Sequence, residues 1–177
     1  ISRSESRNQN TSIPRIKGHL GINLFYIWLC MQRIDPSKLR EKDYPSTLEL
    51  KIDWSEMDVL GHVNNVMINK YFQAARINLW ERTGVKTLFS ELRVEPMVAS
   101  TSVQFFKPLY YPGIITVKTR VVNINNSSYS FEHILLNQDG KIAAFQYDVI
   151  VNFDFESMKS EAISNVFRSK LKKFTTR

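Results

Sequence analysis

The chain has 177 residues, 43% hydrophobic and 23% charged, enough for one packed core and short for two domains. Its single cysteine, Cys30, excludes an intramolecular disulfide, and His and Cys nowhere recur at metal-ligand spacing, so a reducing, cytoplasmic setting without structural zinc is expected. The net charge of +7 suits nucleic acid, a membrane surface or a polyanionic small molecule, yet much of it is terminal: Arg3, Arg7, Arg15 and Lys17 precede the core, and Arg168, Lys170, Lys172, Lys173 and Arg177 follow it. The nearly neutral middle of the chain argues against a nucleic-acid partner.

Residues 1–19 are rich in Ser, Asn, Arg and Gln without apolar periodicity, the composition of a disordered segment. Leu20 to Cys30 is apolar but about half the length that a bilayer requires, and no small-x-small cleavage site follows it, so neither stable membrane insertion nor secretion is expected. Polar sequence follows Met31, so residues 1–30 read as an upstream extension and 1–45 as a partly disordered N-terminal segment. From Thr47, Leu48, Leu50, Ile52 and Trp54 alternate with Glu49, Lys51 and Asp53, which predicts a strand.

Next comes Asp58-Val59-Leu60-Gly61-His62-Val63-Asn64-Asn65, leading into an amphipathic helix over Val66 to Thr83. Asn64 and Asn65 are good N-cap residues, so the helix should start there with its first N–H groups unpaired and its positive dipole end facing the loop. Gly61 lets the loop fold tightly and bring the Asp58 carboxylate near that anion-attracting end, an arrangement suited to acyl transfer to water. Within the helix, Ile68, Tyr71, Phe72, Ala75 and Leu79 form one apolar stripe, which Gly84 ends as a C-cap.

Four strand-like runs follow: Val94 to Phe106, Ile114 to Ile124, Tyr129 to Leu136, and Ile142 to Phe155. Turn residues separate them, Pro108, Pro112 and Gly113 between the first two, so antiparallel pairing of neighbours is expected. In the last run Ala143, Phe145, Tyr147, Val149, Val151 and Phe153 share the face expected to pack, opposite Gln146, Asp148, Asn152 and Asp154. Ile163, Phe167 and Leu171 lie at helical spacing in Ser160 to Phe174, a basic terminal helix or tail over 159–177. Asp53, Glu56 and Asp148 read as solvated or structural acids, and Tyr71, Phe72 and Trp80 as core. One long helix must then cover a single antiparallel sheet, an α+β fold.

Strand, Asp-x-x-Gly-His-Val-Asn-Asn, a helix carrying Tyr71-Phe72 and Ala75-Arg76, then Phe105-x-x-Pro108: in this order the motifs resemble the hotdog-fold thioesterases of the 4-hydroxybenzoyl-CoA thioesterase type. The likeness covers residues 46–158. It implies a hotdog fold, a five-stranded antiparallel sheet wrapped around one long central helix, in a homodimer or homotetramer with active sites at the subunit interface. It also implies hydrolysis of acyl-CoA to a carboxylic acid and coenzyme A, without metal or cofactor. Carried over by residue, Asp58 attacks the thioester carbonyl or activates water, and the Asn65 backbone N–H holds the carbonyl oxygen. His62 and Asn64 take supporting roles, orienting the loop or the substrate. Lys107, Lys118 and Arg120 are the cations expected at the nucleotide end of coenzyme A.

The same fold hosts acyl-carrier-protein thioesterases and enoyl-thioester hydratases or dehydratases, and the spacing of Asp58 and His62 approaches an acid–His pair of the hydratase kind. A non-catalytic acyl-thioester-binding protein is the alternative from another class. The six glycines form no phosphate loop and no Gly-x-Ser-x-Gly elbow occurs, which removes kinase and serine-hydrolase readings.

Overall fold

A computed structural model describes residues 33–84 and 94–176 of the chain. The expectations for residues 1–30 lie outside these residues. Strand β1 (Ser46–Lys51) leads through a 3-10 turn (Trp54–Glu56) and the motif loop to helix α1 (Asn65–Arg82). Strands β2 (Glu95–Phe105), β3 (Ile114–Ile124), β4 (Ser128–Leu136) and β5 (Ile142–Asp154) follow, then the two-residue β6 (Lys159–Ser160) and helix α2 (Asn165–Lys172).

The strand predicted to run through Trp54 ends at Lys51. The cause is local: the Asp53 carboxylate accepts from the Ser55 N–H at 2.8 Å, and the Glu56 carboxylate accepts from the Asp53 N–H at 2.9 Å. This reciprocal capping box turns the chain out of the sheet and leaves Trp54 73% exposed, not inward as alternation predicted.

Helix α1 matches its expectation to within a residue, and all five residues of its apolar stripe are buried. Gly84 follows its C-terminus at φ +64°, the left-handed region that glycine enters without Cβ strain. Ile68, Tyr71, Phe72 and Ala75 pack on Ile115 and Val117 of β3 and Leu135 of β4. Further along, Leu79 joins Tyr129, Phe131 and Ile150, and Ile163, Phe167 and Leu171 close that cluster from the C-terminal segment. The spacing of those last three therefore reports a packed helix, which Ser164 caps by accepting from the Phe167 N–H at 3.2 Å.

All strands pair antiparallel, in the order β1-β3-β4-β5-β2, with β6 added to β5. One expectation fails here: β2 and β3, neighbours in sequence, do not pair. Residues 106–113 are a crossing, not a hairpin turn. The Phe106 and Lys107 N–H groups still bond to the Ala143 carbonyl, whereas the Gly113 carbonyl accepts from Ile52 beside β1. Midway, the Leu109 carbonyl accepts from the Val63 N–H at 2.9 Å, so the crossing passes against the motif loop and helps to hold it.

A third correction concerns β5. Its expected packing face does bury Phe145 and Tyr147, but Gln146, Asp148 and Asn152 on the other face are buried as well, and Asp148 meets Arg76 of α1. These polar residues are tolerated inside because they have partners: Gln146 donates to Asp148, and Asn152 donates to the Glu161 and Ala162 carbonyls. The result is the hotdog fold of the α+β class, a curled antiparallel sheet around α1. Among the described residues no helix is long and apolar enough to cross a membrane.

Candidate active site

Residues 57–63 form a small closed loop. Met57 and Val63 bridge its base, the Asp58 N–H donates to the His62 carbonyl at 2.8 Å, and the Gly61 N–H donates to the Asp58 carbonyl at 3.1 Å. Gly61 sits at φ +78°, which explains a glycine at this corner. Asp58 Oδ1 accepts from the Leu60 N–H at 2.8 Å and the His62 N–H at 3.2 Å, an Asx-type turn. For Asp58 Oδ2 no hydrogen bond is found among the described residues. Half of the carboxylate shapes the loop and half is available.

Helix α1 begins next to it. Asn64 is the N-cap, its Oδ1 accepting from the Val66 N–H at 2.9 Å and its carbonyl from Met67 and Ile68. Those bonds pass over the N–H of the exposed Asn65, for which no acceptor is found among the described residues. It is therefore a donor at the positive end of an 18-residue helix.

Glu56 anchors both features, a larger role than the solvated or structural acid expected at that position. It is 6% exposed. Its carboxylate accepts from the Tyr71 hydroxyl, from Lys70 Nζ at 3.2 Å and from the Asp53 N–H, while its own carbonyl accepts from the Asn64 N–H at 2.9 Å. Burial works to raise its carboxyl, but these bonds outweigh it and hold the group below the usual glutamate range. Burial, then the same bond to Glu56, pushes the Tyr71 phenol up. Asp53-x-x-Glu56 is a capping-box signature, the readable clue to this role.

His62 enters through its backbone. Its half-buried ring lies edge-on to Tyr110, with centroids 5.2 Å apart, and makes no hydrogen bond with the Asp58 carboxylate. The three expected cations are scattered. Lys107 is exposed, with no ion pair among the described residues. Lys118 pairs with Glu41 at 3.2 Å, and Arg120 grips Glu132 at 2.5 and 2.8 Å beneath the Tyr44 ring. Both alternate with Val117, Thr119 and Val121, which face α1, so they stand on the opposite side of the sheet.

Asp58 also lines an open pocket of about 560 Å³, together with Trp54, Ser55, Met57, Gly61 and Tyr111. Its aromatic wall exists because the capping box turned Trp54 outward. Among the described residues no three or more His, Cys, Asp or Glu side chains gather as they would around a metal ion.

A second polar cluster lies under α1. Asp148, fully buried, receives Arg76 Nη1 at 2.6 Å, the Thr101 hydroxyl, and Gln146 Nε2 at 2.9 and 3.0 Å; His133 Nε2 is 3.3 Å away without hydrogen-bond alignment. Burial pushes its carboxyl up, but His133, Arg76 and Thr101 outweigh that and bring it down to about 2.

The Thioesterase-like superfamily matches residues 52–171, a span holding the motif loop, α1 and every strand except β1. Among solved structures, the PA5185 protein of Pseudomonas aeruginosa strain PAO1 is 28% identical, with a TM-score of 0.69, over 77% of this chain and 95% of its own. A predicted thioesterase from Bacillus stearothermophilus is 26% identical, TM-score 0.67, over 75% and 97%. A Thermus thermophilus thioesterase complexed with coenzyme A and Zn is 24% identical, TM-score 0.65, over 75% and 95%, a likeness of fold. No curated protein matches the chain. With the motif loop, helix α1 and strands β2 to β6 inside the matched span, the chain belongs to the Thioesterase-like superfamily.

Proposed function

We propose that the protein hydrolyses acyl-CoA thioesters to a carboxylic acid and coenzyme A. The observation that carries this reading is the half-committed Asp58 carboxylate: one oxygen is held by loop N–H groups, the other is available, and the residue lines a pocket with Trp54 and Tyr111. In the proposed reaction the thioester oxygen lies on the Asn65 N–H, which takes up the charge that develops as the carbonyl becomes tetrahedral. Asp58 either removes a proton from the attacking water or attacks the carbonyl itself, forming an anhydride that water then opens. Thiolate leaves in both cases, and water and Asp58 suffice without a metal or redox cofactor.

Asn64 supports the site by capping the helix, and His62 by placing its N–H on Asp58. Lys107 is the readiest contact for the nucleotide end, whereas Lys118 and Arg120 would first have to exchange their acidic partners. Membership of the superfamily and a coenzyme A complex in a neighbour of the same fold favour CoA as the carrier. A cytoplasmic homodimer or homotetramer, with no nucleic-acid partner, completes the proposal. The His62 ring packs edge-on to Tyr110 and makes no hydrogen bond with the Asp58 carboxylate, which speaks against the acid–His pair of a hydratase.

Free-thiol release from an acyl-CoA panel, run beside enoyl-CoA absorbance, tests the assignment. Hydrolysis predicts thiol release and constant enoyl absorbance. Loss of enoyl absorbance without thiol would assign a hydratase, and CoA-ester binding with neither signal would leave a non-catalytic binder.

A further inference from the structure

The pocket at Asp58 is built from groups that suit one part of a thioester better than the rest. Trp54 and Tyr111, 73% and 48% exposed, and Met57 give it an aromatic and thioether surface. None of its six lining residues is Lys or Arg, and one is a carboxylate, so nothing there attracts the phosphates of a nucleotide. The pocket's side-chain hydrogen-bond donors, Ser55 aside, are two, the Trp54 indole N–H and the Tyr111 hydroxyl, each at the edge of an aromatic ring. The N–H groups of Ser55, Met57, Asp58 and Gly61 are all bonded within the turn and loop, and the Ser55 hydroxyl is on Asp53 at 2.5 Å. Beyond those two groups and Asp58 Oδ2, which the reaction uses, the amides of a pantetheine arm would find few partners, whereas an alkyl or aryl group needs none. The volume, about 560 Å³, falls within the roughly 300–1,000 Å³ of small-molecule sites.

From this geometry we infer that the groove between Trp54 and Tyr111 is the specificity site for an apolar acyl group, a reading that rests on the acyl-thioester function proposed above. Because Asp58 lines the same groove, an acyl group seated there places its carbonyl beside the carboxylate. The sequence feature that creates the site is the Asp53–Glu56 capping box, without which Trp54 would continue β1.

Calorimetry with S-decyl-CoA, a thioether that cannot be hydrolysed, and with unacylated CoA tests the site without turnover. The expected wild-type preference for S-decyl-CoA is about 10-fold or more, since removing the chain from water stabilises the complex by about 25 cal/mol per Å². Trp54→Ala and Tyr111→Ala should each weaken S-decyl-CoA about 5- to 30-fold and change CoA less than about 2-fold, with Trp54→Phe retaining most of the affinity. Thermal melting checks that the variants fold. Equal weakening of both ligands would place the pantetheine arm in the groove and overturn the proposal. So would unchanged affinities with an altered sedimentation coefficient, which would make the aromatic patch a contact between copies. If S-decyl-CoA discrimination is intact but no acyl-CoA releases thiol, the specificity site stands and the hydrolase reading falls.

Discussion

Two aspartates divide this molecule. Asp148 is fully buried, and Arg76, Thr101 and Gln146 bond to its two oxygens, so its charge is spent on joining α1 to the sheet. Asp58 is half-exposed and gives one oxygen to its own loop, keeping the other for chemistry. The number of partners, more than the residue type, separates a structural acid from a candidate catalyst. The energetics differ in the same way: a buried pair is costly to break from one side, whereas a loop carboxylate can lose its charge with little effect on the fold.

The contrast can be broken most strongly at Arg76. Arg76→Ala leaves Asp148 buried beside no guanidinium and should cost about 3–5 kcal/mol in urea denaturation. A loss under about 1 kcal/mol would mean that Asp148 is not held as described.

Acid provides the next test. The Asp148 carboxyl is lowered in the folded state to about 2, from an ordinary 3.8, so the unfolded chain binds its proton first as pH falls. Its contribution is therefore complete above about 4 and is lost as pH falls towards 2. Unfolding free energies over that window should decline more steeply for wild type than for Asp148→Asn; parallel curves would contradict the assignment.

Glu56→Gln sharpens the other half of the comparison. The amide cannot accept all the bonds that Glu56 accepts, so stability should fall by about 1–3 kcal/mol, read by denaturation. Because the same residue sets the loop and the start of α1, turnover should fall about 10-fold with KM changed less, a split that steady-state kinetics would show. The smallest effect is expected at the helix cap: Asn64→Ala should cost about 1 kcal/mol, measurable as a lower melting temperature.

Much of the fold was legible because periodicity is a local signal. The stripe Ile68, Tyr71, Phe72, Ala75 and Leu79 is the buried face of α1, and Ile163, Phe167 and Leu171 mark the C-terminal helix. Strand partners were not legible, since residues 106–113 hold turn formers whether they close a hairpin or cross beneath a loop. The polar face of β5 misled for a related reason: alternation separates two faces without saying which partners a helix on another part of the chain brings. Arg76 supplies that partner 72 positions away in sequence.

At the site, Asp58, Gly61 and the Asn64 cap were readable from the motif, whose bonds are short in sequence. The weight of Glu56 was hidden because it comes from Lys70 and Tyr71, a full turn and more into α1. The aromatic groove was hidden because Trp54 fits a strand pattern until the capping box is noticed. Lys118 and Arg120 illustrate the reverse case, cations whose acidic partners sequence could not place.

The most direct measurement is the turnover number of wild type and Asp58→Asn on the acyl-CoA that wild type cleaves fastest, with urea unfolding of both proteins in the same buffer. Hydrolysis through Asp58 predicts a fall in kcat of about 10² to 10⁴ with unfolding free energies within about 1 kcal/mol of each other. An Asp58→Asn protein that folds and turns over at the wild-type rate would contradict it.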